Sequence, residues 1–367
     1  MGQAAGSSVL GEAHMDRRTV LVGIAATGLT SLLGGCQWSM SPSRVSHPAL
    51  SAPHDHGRVA LLTARTSGAE LREALQLLAS RVRSLPTGLL GLGHGIFDKL
   101  GVSERRPARL VPMESFAGDV LDPSRVDADL IVQIDGAGPD RADEVLASVL
   151  DGIDALEVTW QSALSRDDNE VAQGRSLNRN VFGFTEGFAN PSGQDEGAMD
   201  RIALIGSGVG EPAWAVGGSY LALRILTVSH DLWDAEDIEL QEQIVGRRRD
   251  GTWLDGTPAH DEPDFAADSD GEVTPLDSHV RLANPRDGSP PPLLVRRSWT
   301  WAADAESRGD GLLFMAFQAD LDAGFRRAQE RLTADRLSRY VLATGGGYFV
   351  VPPDADRSGP WEDVVLR

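Results

Sequence analysis

The stretch Asp129-Leu-Ile-Val-Gln-Ile-Asp135 is a short apolar run bounded by aspartates, a pattern typical of a buried strand. The residues around it predict strands over 58–63 and 156–160, helices over 68–85 and 141–156, and a glycine turn over 91–95. The order strand, helix, strand, strand, helix, strand is that of a ferredoxin-like unit. The first half of the chain is therefore predicted to have an α+β fold.

The second half repeats the same order of elements, although not the same residues. Its pattern predicts strands over 217–226, 311–318 and 347–351, and helices over 231–245 and 323–333. We therefore expect two ferredoxin-like domains, one over residues 58–180 and one over residues 181–367.

The composition indicates a globular protein with a strongly acidic surface. The chain has 367 residues, of which 41% are hydrophobic and 24% are charged, and its formal net charge is −20. Binding of nucleic acid is not expected, because phosphate recognition needs clustered Lys and Arg. The single cysteine, Cys36, excludes an intramolecular disulfide and a multi-cysteine metal site.

The first 36 residues predict an export signal. Arg17-Arg18 precede an uncharged run from Thr19 to Gly35, which is too short and too rich in glycine to predict a membrane span. Leu33-Gly-Gly-Cys36 resembles a lipoprotein box, so a lipid anchor at Cys36 is one expectation and a cleaved signal is the other. Residues 37–57 are rich in Ser, Pro and His and predict a linker.

His279 is the histidine with the most suggestive surroundings. It lies in Ser278-His-Val-Arg-Leu-Ala-Asn-Pro-Arg286, where arginines and an Asn-Pro turn are close in sequence. No His-Glu-x-x-His motif or paired histidine spacing accompanies it, which argues against a zinc site made by protein ligands alone. A structural histidine remains an alternative; a single histidine ligand suits a metal that is otherwise held by a macrocycle.

Arginines and a glutamate supply further candidates. Leu293-Leu-Val-Arg-Arg-Ser-Trp-Thr-Trp301 predicts a strand that places Arg296 and Arg297 on opposite faces, so an inward-pointing arginine would need an anion, unless the strand is at an edge. Glu186 lies in a glycine-flanked turn between phenylalanines, which prefer burial. Two roles fit Glu186: an acid that caps a backbone amide at the surface, or an acid–base group.

Taken together, the motifs resemble those of the dye-decolourising (DyP-type) haem peroxidases, in particular their twin-arginine-exported bacterial branch. The resemblance runs in order from about residue 58 to residue 355. The residues that carry it are Gly183-Phe-Thr-Glu-Gly187, Asn190-Pro191, Gly217-Gly-Ser-Tyr220, Ile244-Val-Gly-Arg247, His279-Val-Arg281, Asn284-Pro285, Arg296-Arg297, Gly311-Leu-Leu-Phe-Met-Ala-Phe-Gln318 and Gly345-Gly-Gly-Tyr-Phe-Val-Val-Pro352.

The resemblance implies two ferredoxin-like domains with facing antiparallel sheets, a dimeric α/β-barrel-like arrangement, and haem b in the C-terminal domain. It implies that His279 is the iron ligand, that Arg296 is the distal arginine, and that Glu186 takes the place of the family's distal Asp. The other cofactor contacts that it implies are Arg281, Arg247, Gly187, Leu312 and Phe314.

The implied reaction is reduction of hydrogen peroxide with one-electron oxidation of an aromatic substrate, phenolic or dye-like. Glu186 would transfer the proton and Arg296 would stabilise the developing charge. Glutamate in place of aspartate shifts the carboxylate by about 1.5 Å, which predicts a bent rotamer, a bridging water or a lower rate. The acidic partner expected for His279 is absent from residues 337–340, which leaves Asp320 or Asp322.

Several alternatives follow from the same residues. The chain could be an exported haem-handling protein, deferrochelatase-like or oxidising ferrous iron, or a haem carrier with weak peroxidase activity. A small-ligand module without haem is a further alternative. Trp253, Trp299, Trp301 and Tyr348 could relay electrons or could be core aromatics, and a homo-oligomer is possible.

Overall fold

A computed structural model describes residues 47–136, 138–303, 309–354 and 360–367. The predicted export signal, Cys36 and most of the predicted linker lie outside these residues. Within the described ranges, no helix is both long and apolar enough to cross a membrane.

The strands follow the chain in the order β1 to β12. Their bounds are β1 His56–Ala64, β2 Gly88–Gly93, β3 Leu130–Gly136, β4 Leu156–Ser165, β5 Asp167–Ala172, β6 Arg175–Arg179, β7 Thr185–Glu186, β8 Ser219–Val228, β9 Val295–Arg296, β10 Trp299–Ala302, β11 Gly311–Gln318 and β12 Val341–Val351.

The helices lie between these strands. The α-helices of the described residues are α1 Gly68–Arg83, α2 His94–Leu100, α3 Pro139–Leu150, α4 Glu196–Ala203, α5 His230–Asp234, α6 Ile238–Val245, α7 His279–Ala283, α8 Arg327–Arg331 and α9 Glu362–Val365. A π-helical turn over Asp322–Arg326 leads directly into α8.

Eight strands form one antiparallel sheet that closes on itself. The order is β10-β4-β1-β3-β2-β12-β8-β11, β10 also pairs with β11, and β9 extends the sheet beyond β11. Four strands of the ring come from each predicted half. The predicted α+β class with a barrel-like pair of antiparallel sheets is therefore confirmed, and β5, β6 and β7 form a small separate sheet.

The ring has an apolar interior and covered outer faces. One cluster takes side chains from all eight strands, including Leu223 of β8 and Met315 of β11, and lies inside the ring. A second cluster packs α1, α2 and α3 on the outer face of the N-terminal strands. A third, which includes Leu312, covers the C-terminal strands and borders the candidate site.

Three local predictions were wrong. Residues 91–95 are not a turn: Gly91 and Gly93 belong to buried β2, where a Cβ on Gly93 would lie 2.2 Å from the Ala128 carbonyl oxygen. The predicted helix over 141–156 ends at Leu150 because Gly152 has a φ of +67°. The predicted helix over 231–245 is divided into α5 and α6, because the Asp237 side chain caps Leu240 N–H and starts α6.

The end of the predicted linker is packed against the fold. Ala49 is fully buried and His47 is 2% exposed, and the His47 imidazole hydrogen-bonds the Pro352 carbonyl group through Nε2 at 3.1 Å. We call residues 47–50 the N-terminal strap, since they join the start of the described chain to the end of β12.

Candidate active site

Glu186 lies on β7, in a turn that is folded tightly around Asn180. The Asn180 Oδ1 atom accepts hydrogen bonds from the N–H groups of Phe182 and Phe184, both at 3.1 Å, and its Nδ2 donates to Glu186 Oε2 at 3.3 Å. Both phenylalanines are buried and pack on Trp233. The turn is therefore part of the core, not a surface capping turn.

Gly187 ends this turn in a conformation that other residues rarely adopt. Its φ is +105°, and a Cβ atom would lie 2.2 Å from the Ser176 carbonyl oxygen of β6. Only glycine fits without displacing the backbone. Gly187 thereby determines where the neighbouring carboxylate of Glu186 can lie.

Arg296 is held next to this turn by Asn190. The Asn190 Oδ1 atom accepts from Arg296 N–H at 2.8 Å, and its Nδ2 donates to the Arg296 carbonyl oxygen at 2.8 Å. Desolvation lowers the pKa of Arg296, and the charge of Glu186 opposes that lowering. The two residues therefore lie close enough to interact electrostatically.

The guanidinium group of Arg296 has no hydrogen bond or ion pair to any residue that the structure describes. Arg297 is in different surroundings, because its Nη2 donates to the Ala49 carbonyl oxygen of the N-terminal strap at 3.1 Å. Of these two arginines, Arg296 is therefore the one whose guanidinium group is available to interact with a ligand beside Glu186.

His279 is the first residue of α7, and a carboxylate holds its ring. Its Nδ1 lies 2.7 Å from Asp335 Oδ2, and the Asp335 side chain is 8% exposed. The predicted partners, Asp320 and Asp322, are wrong: they pair with Arg109 and Arg326 instead. Nε2 of His279 has no hydrogen-bond partner in the described part of the chain.

Leu312 and Phe314 occupy alternate positions on β11, so they lie on the same face of the strand. Both pack in the cluster that contains Phe182, Phe184 and Trp233. This apolar surface therefore adjoins the turn that carries Glu186.

Arg247 follows α6 and lies against two aromatic rings. Its guanidinium carbon is 3.5 Å from the Trp253 ring centroid, and its Nη1 donates to the Gly251 and Ala259 carbonyl oxygens at 2.6 and 3.0 Å. Burial and the like charges of Arg296 and Arg286 lower the pKa of Arg247 to about 9. Arg247 remains a cation at neutral pH, and an anion placed beside it would stabilise its buried charge.

Arg281, predicted to lie near the haem, is held by the loop that precedes α7. Its two terminal nitrogens donate to Asp268 Oδ2 and to the carbonyl oxygens of Phe265, Asp268 and Thr274. These bonds commit the guanidinium to the loop that precedes α7. Arg281 therefore supports the helix that carries His279, and the structure shows no free fork of donors on it.

Two cavities adjoin these residues. The larger, about 710 Å³, is lined by residues that include Arg281, Arg286 and Arg331, and the smaller, about 540 Å³, by residues that include Phe188 and Arg247. Among the described residues, no group of three or more His, Cys, Asp or Glu side chains could hold a metal ion. A metal here would depend on His279 and a non-protein ligand.

The four aromatic residues considered as surface relays are all core residues. Trp299 is fully buried, Trp253 and Tyr348 are 1% exposed, and Trp301 is 5% exposed. None of them presents a ring to a large substrate in solution.

Comparison with known proteins accounts for this arrangement of residues. A sequence profile described as "Dyp-type peroxidase, N-terminal" matches residues 59–163, and one described as "Dyp-type peroxidase, C-terminal" matches residues 177–356. The chain belongs to the DyP-type peroxidase family. Glu186, His279 and Arg296 all lie within the C-terminal match.

The curated proteins that are similar to this DyP-type chain include deferrochelatases. A deferrochelatase of Shigella flexneri serotype 5b is 35% identical over 272 residues, which are 72% of this chain and 65% of that protein. The chain thus spans just under two thirds of the length of that curated relative.

Solved structures give the same fold. An oxyferrous/water mixed complex of DtpA from Streptomyces lividans is 27% identical, with a TM-score of 0.76 over 87% of this chain and 94% of the other. A DyP-type peroxidase from Cellulomonas bogoriensis is 26% identical, with a TM-score of 0.71 over 88% of this chain and all of the other.

Proposed function

We propose that this chain binds haem b and uses hydrogen peroxide to oxidise aromatic substrates, phenolic or dye-like, by one-electron steps. Family membership and the likeness to an oxyferrous DtpA support the cofactor. The observation that carries the proposal is the His279 imidazole, which is anchored to buried Asp335 through Nδ1 and has Nε2 uncommitted.

The residues of the site fit haem. His279 Nε2 is available as an iron ligand, and Asp335 orients the ring and fixes its tautomer. Arg247 is a buried cation that suits a propionate, and Leu312 and Phe314 offer an apolar wall. When bound, haem supplies the iron that coordinates peroxide and stores its oxidising equivalents.

Glu186 and Arg296 have separate tasks in the proposed reaction. The Glu186 carboxylate takes the proton from one oxygen of hydrogen peroxide and returns it to the other, as a general base and then a general acid. The Arg296 guanidinium, which no described residue neutralises by an ion pair, stabilises negative charge as the oxygen–oxygen bond breaks. The apolar wall keeps bulk water from competing for the proton.

Asn180 contacts the longer side chain of Glu186, which stands where the family has aspartate. The amide of Asn180 donates to Glu186 Oε2 and so holds the longer side chain back within the turn. We infer that this bond compensates for part of the additional methylene group.

Spectroscopy and turnover test the proposal together. The purified chain with haem is expected to show a Soret band and peroxide-dependent oxidation of a phenol. His279→Ala should lose the histidine-ligated spectrum, whereas His260→Ala, an exposed control, should keep it. Glu186→Gln should slow turnover about 100-fold, and Glu170→Gln, on exposed β5, should not. A haem-loaded chain without peroxidase activity would contradict the proposal.

Removal of iron from haem is a second candidate, favoured by the relative named a deferrochelatase. Formation of metal-free porphyrin, read by its fluorescence, distinguishes the two. Porphyrin release without oxidised phenol would favour this candidate, and oxidised phenol with intact haem would favour peroxidation.

We also propose that the chain is exported by the twin-arginine pathway to the periplasm, the cell surface or the medium, on the basis of Arg17-Arg18 and the apolar run that follows. A reporter fused to residues 1–46 should be exported, and Arg17→Lys with Arg18→Lys should stop it. Cys36→Ser should release the chain from membranes if Cys36 is lipidated.

The chain is also proposed to form a homo-oligomer, and light scattering of the purified protein tests this proposal.

A further inference from the structure

Two buried arginines lie together on the interior side of the β9–β10 segment. Arg166 is 5% exposed and Arg297 is 7% exposed. Desolvation is the larger cause of the lowered pKa of Arg297, and the positive charge of Arg166 lowers this pKa further. Arg166 lies 5.6 Å from the Trp299 ring centroid, measured from its guanidinium carbon. Arg297 and Trp299 are two residues apart in an extended segment, so their side chains share a face.

Neither arginine is in an ion pair with a carboxylate of the described residues. Arg166 donates to Asn169 Oδ1, to Ser176 Oγ and to the Ser298 carbonyl oxygen. Arg297 donates to the Ala49 carbonyl oxygen. All of these acceptors are neutral, so the hydrogen bonds leave both charges uncompensated.

The carboxylates whose charges act on these two arginines are occupied elsewhere. Glu186, whose charge opposes the lowered pKa of Arg166 most, accepts from Asn180 Nδ2 at 3.3 Å. Asp135, whose charge acts on both arginines, accepts from His54 N–H and lies 3.2 Å from His54 Nδ1. Asp55 accepts from Asn169 at 2.9 Å. Buried charges without a close partner are strongly unfavourable.

Two buried donors at this place lack an acceptor in the described protein. They are the Nε of Arg297 and the indole Nε1 of Trp299, which is fully buried. An anion accepts from every donor that surrounds it and also neutralises charge. A water molecule neutralises no charge and must itself find acceptors for two protons.

We propose that the ring of strands holds a small inorganic anion, of the size of chloride, bound by Arg297 and Trp299 beside Arg166. Adjacent residues of an extended segment face opposite sides, so this site is on the other face of the segment from the Arg296 side chain, and it does not depend on haem. Because Arg297 directly follows Arg296, the bound anion also fixes the segment that positions the distal arginine.

Two tryptophans of β10 give a matched test. Trp299→Phe removes the unpartnered donor, whereas Trp301→Phe removes an indole whose Nε1 already donates to the Leu226 carbonyl oxygen at 3.0 Å. The thermal midpoint of the purified chain is followed as bromide replaces gluconate at constant ionic strength. The original chain and Trp301→Phe should show a saturable rise, and Trp299→Phe should need at least about tenfold more bromide.

Non-specific effects of bromide act on all three proteins alike, so the difference between the bromide responses of the two variants tests the proposal. Equal responses of Trp299→Phe and Trp301→Phe would overturn the proposal. Crystals grown in bromide should show an anomalous peak within hydrogen-bond distance of Arg297 Nε and Trp299 Nε1. A water molecule there without anomalous signal would also overturn it, and Arg297→Gln should abolish the peak.

Discussion

The Asp335 carboxylate is held from two sides, which gives the His279 ring a rigid support. Its Oδ1 accepts from Leu337 N–H at 2.9 Å, where it begins a 3₁₀ turn, and its Oδ2 accepts from His279 Nδ1. A backbone donor thus fixes the acceptor that fixes the imidazole. The orientation of the proposed iron ligand depends on this local turn as well as on α7.

Asp335→Asn should weaken haem binding by about 10–100-fold, because an amide supports the imidazole less strongly than a carboxylate. A haem titration measures the affinity. The reduction potential of the bound haem should rise, because a histidine with weaker support donates less electron density to the iron. Asp320→Asn is the control, since Asp320 pairs with Arg109 instead. Equal effects of the two variants would contradict the assigned support.

At this scale the sequence identified residue types better than their partners. His279, Glu186 and Arg296 are chemically distinctive and lie in recognisable motifs. Asp335 is 56 residues from His279 along the chain, and nothing in the local pattern marks that contact. Its one local signal is an aspartate at the start of a turn.

The turn that ends at Gly187 determines the position of Glu186, the proposed acid–base group, through its backbone. Gly187 combines a φ of +105° with a close approach to Ser176. Gly208 also has a positive φ, of +78°, but a Cβ there would have open space around it. Comparing substitutions at the two glycines therefore distinguishes the cost of the backbone conformation from the cost of steric overlap.

Gly187→Ala is expected to destabilise the fold by about 2–5 kcal/mol, because strain and overlap act together. Gly208→Ala should cost only about 1–2 kcal/mol. Denaturant unfolding measures both costs. Peroxide turnover should fall only in Gly187→Ala, where the turn carrying Glu186 must move, and unchanged turnover there would contradict the role given to the turn.

Helix and strand positions were mostly predictable, and the errors have two different causes. The pattern of residues 231–245 is continuous in its apolar spacing, yet Asp237 divides it by capping α6. Gly91 resembles a turn residue, but a Cβ there would lie 2.6 Å from Ile131 Cγ2 of the adjacent strand. Close packing between strands is invisible in a local pattern.

A buried ion pair joins the two halves of the molecule. Arg224 of β8 meets Asp119, in a loop of the N-terminal half, through both carboxylate oxygens, and their side chains are 6% and 3% exposed. Phe116 packs over the same guanidinium at 5.0 Å. The loop is thereby fastened to the outer face of the ring of strands, next to Phe314 of β11.

Asp119→Ala should destabilise the protein by about 3–5 kcal/mol, since it leaves the Arg224 charge buried and unpaired. Glu144→Ala breaks the Arg141–Glu144 pair, whose side chains are 70% and 68% exposed, and should cost less than about 1 kcal/mol. Chemical denaturation compares the two. Similar costs would show that burial of the first pair is not what matters.

Closure of the sheet was implied by family resemblance and not by the residues alone. Each half has the element order of a ferredoxin-like unit, but the pairing of β4 with β10 joins residues more than 130 positions apart. The β10–β11 pairing that completes the ring involves a strand of four residues. Such short, distant pairings depend on tertiary packing and leave little trace in sequence.

Two cations lie close to the Trp253 ring, and this has a consequence for the durability of the protein. The guanidinium carbons of Arg247 and Arg286 are 3.5 and 4.9 Å from its ring centroid, and its Nε1 donates to the Asp261 carbonyl oxygen at 2.9 Å. Positive charge against the ring opposes loss of an electron from the indole. This tryptophan is therefore difficult to oxidise, and oxidative damage during the proposed peroxide turnover should spare it.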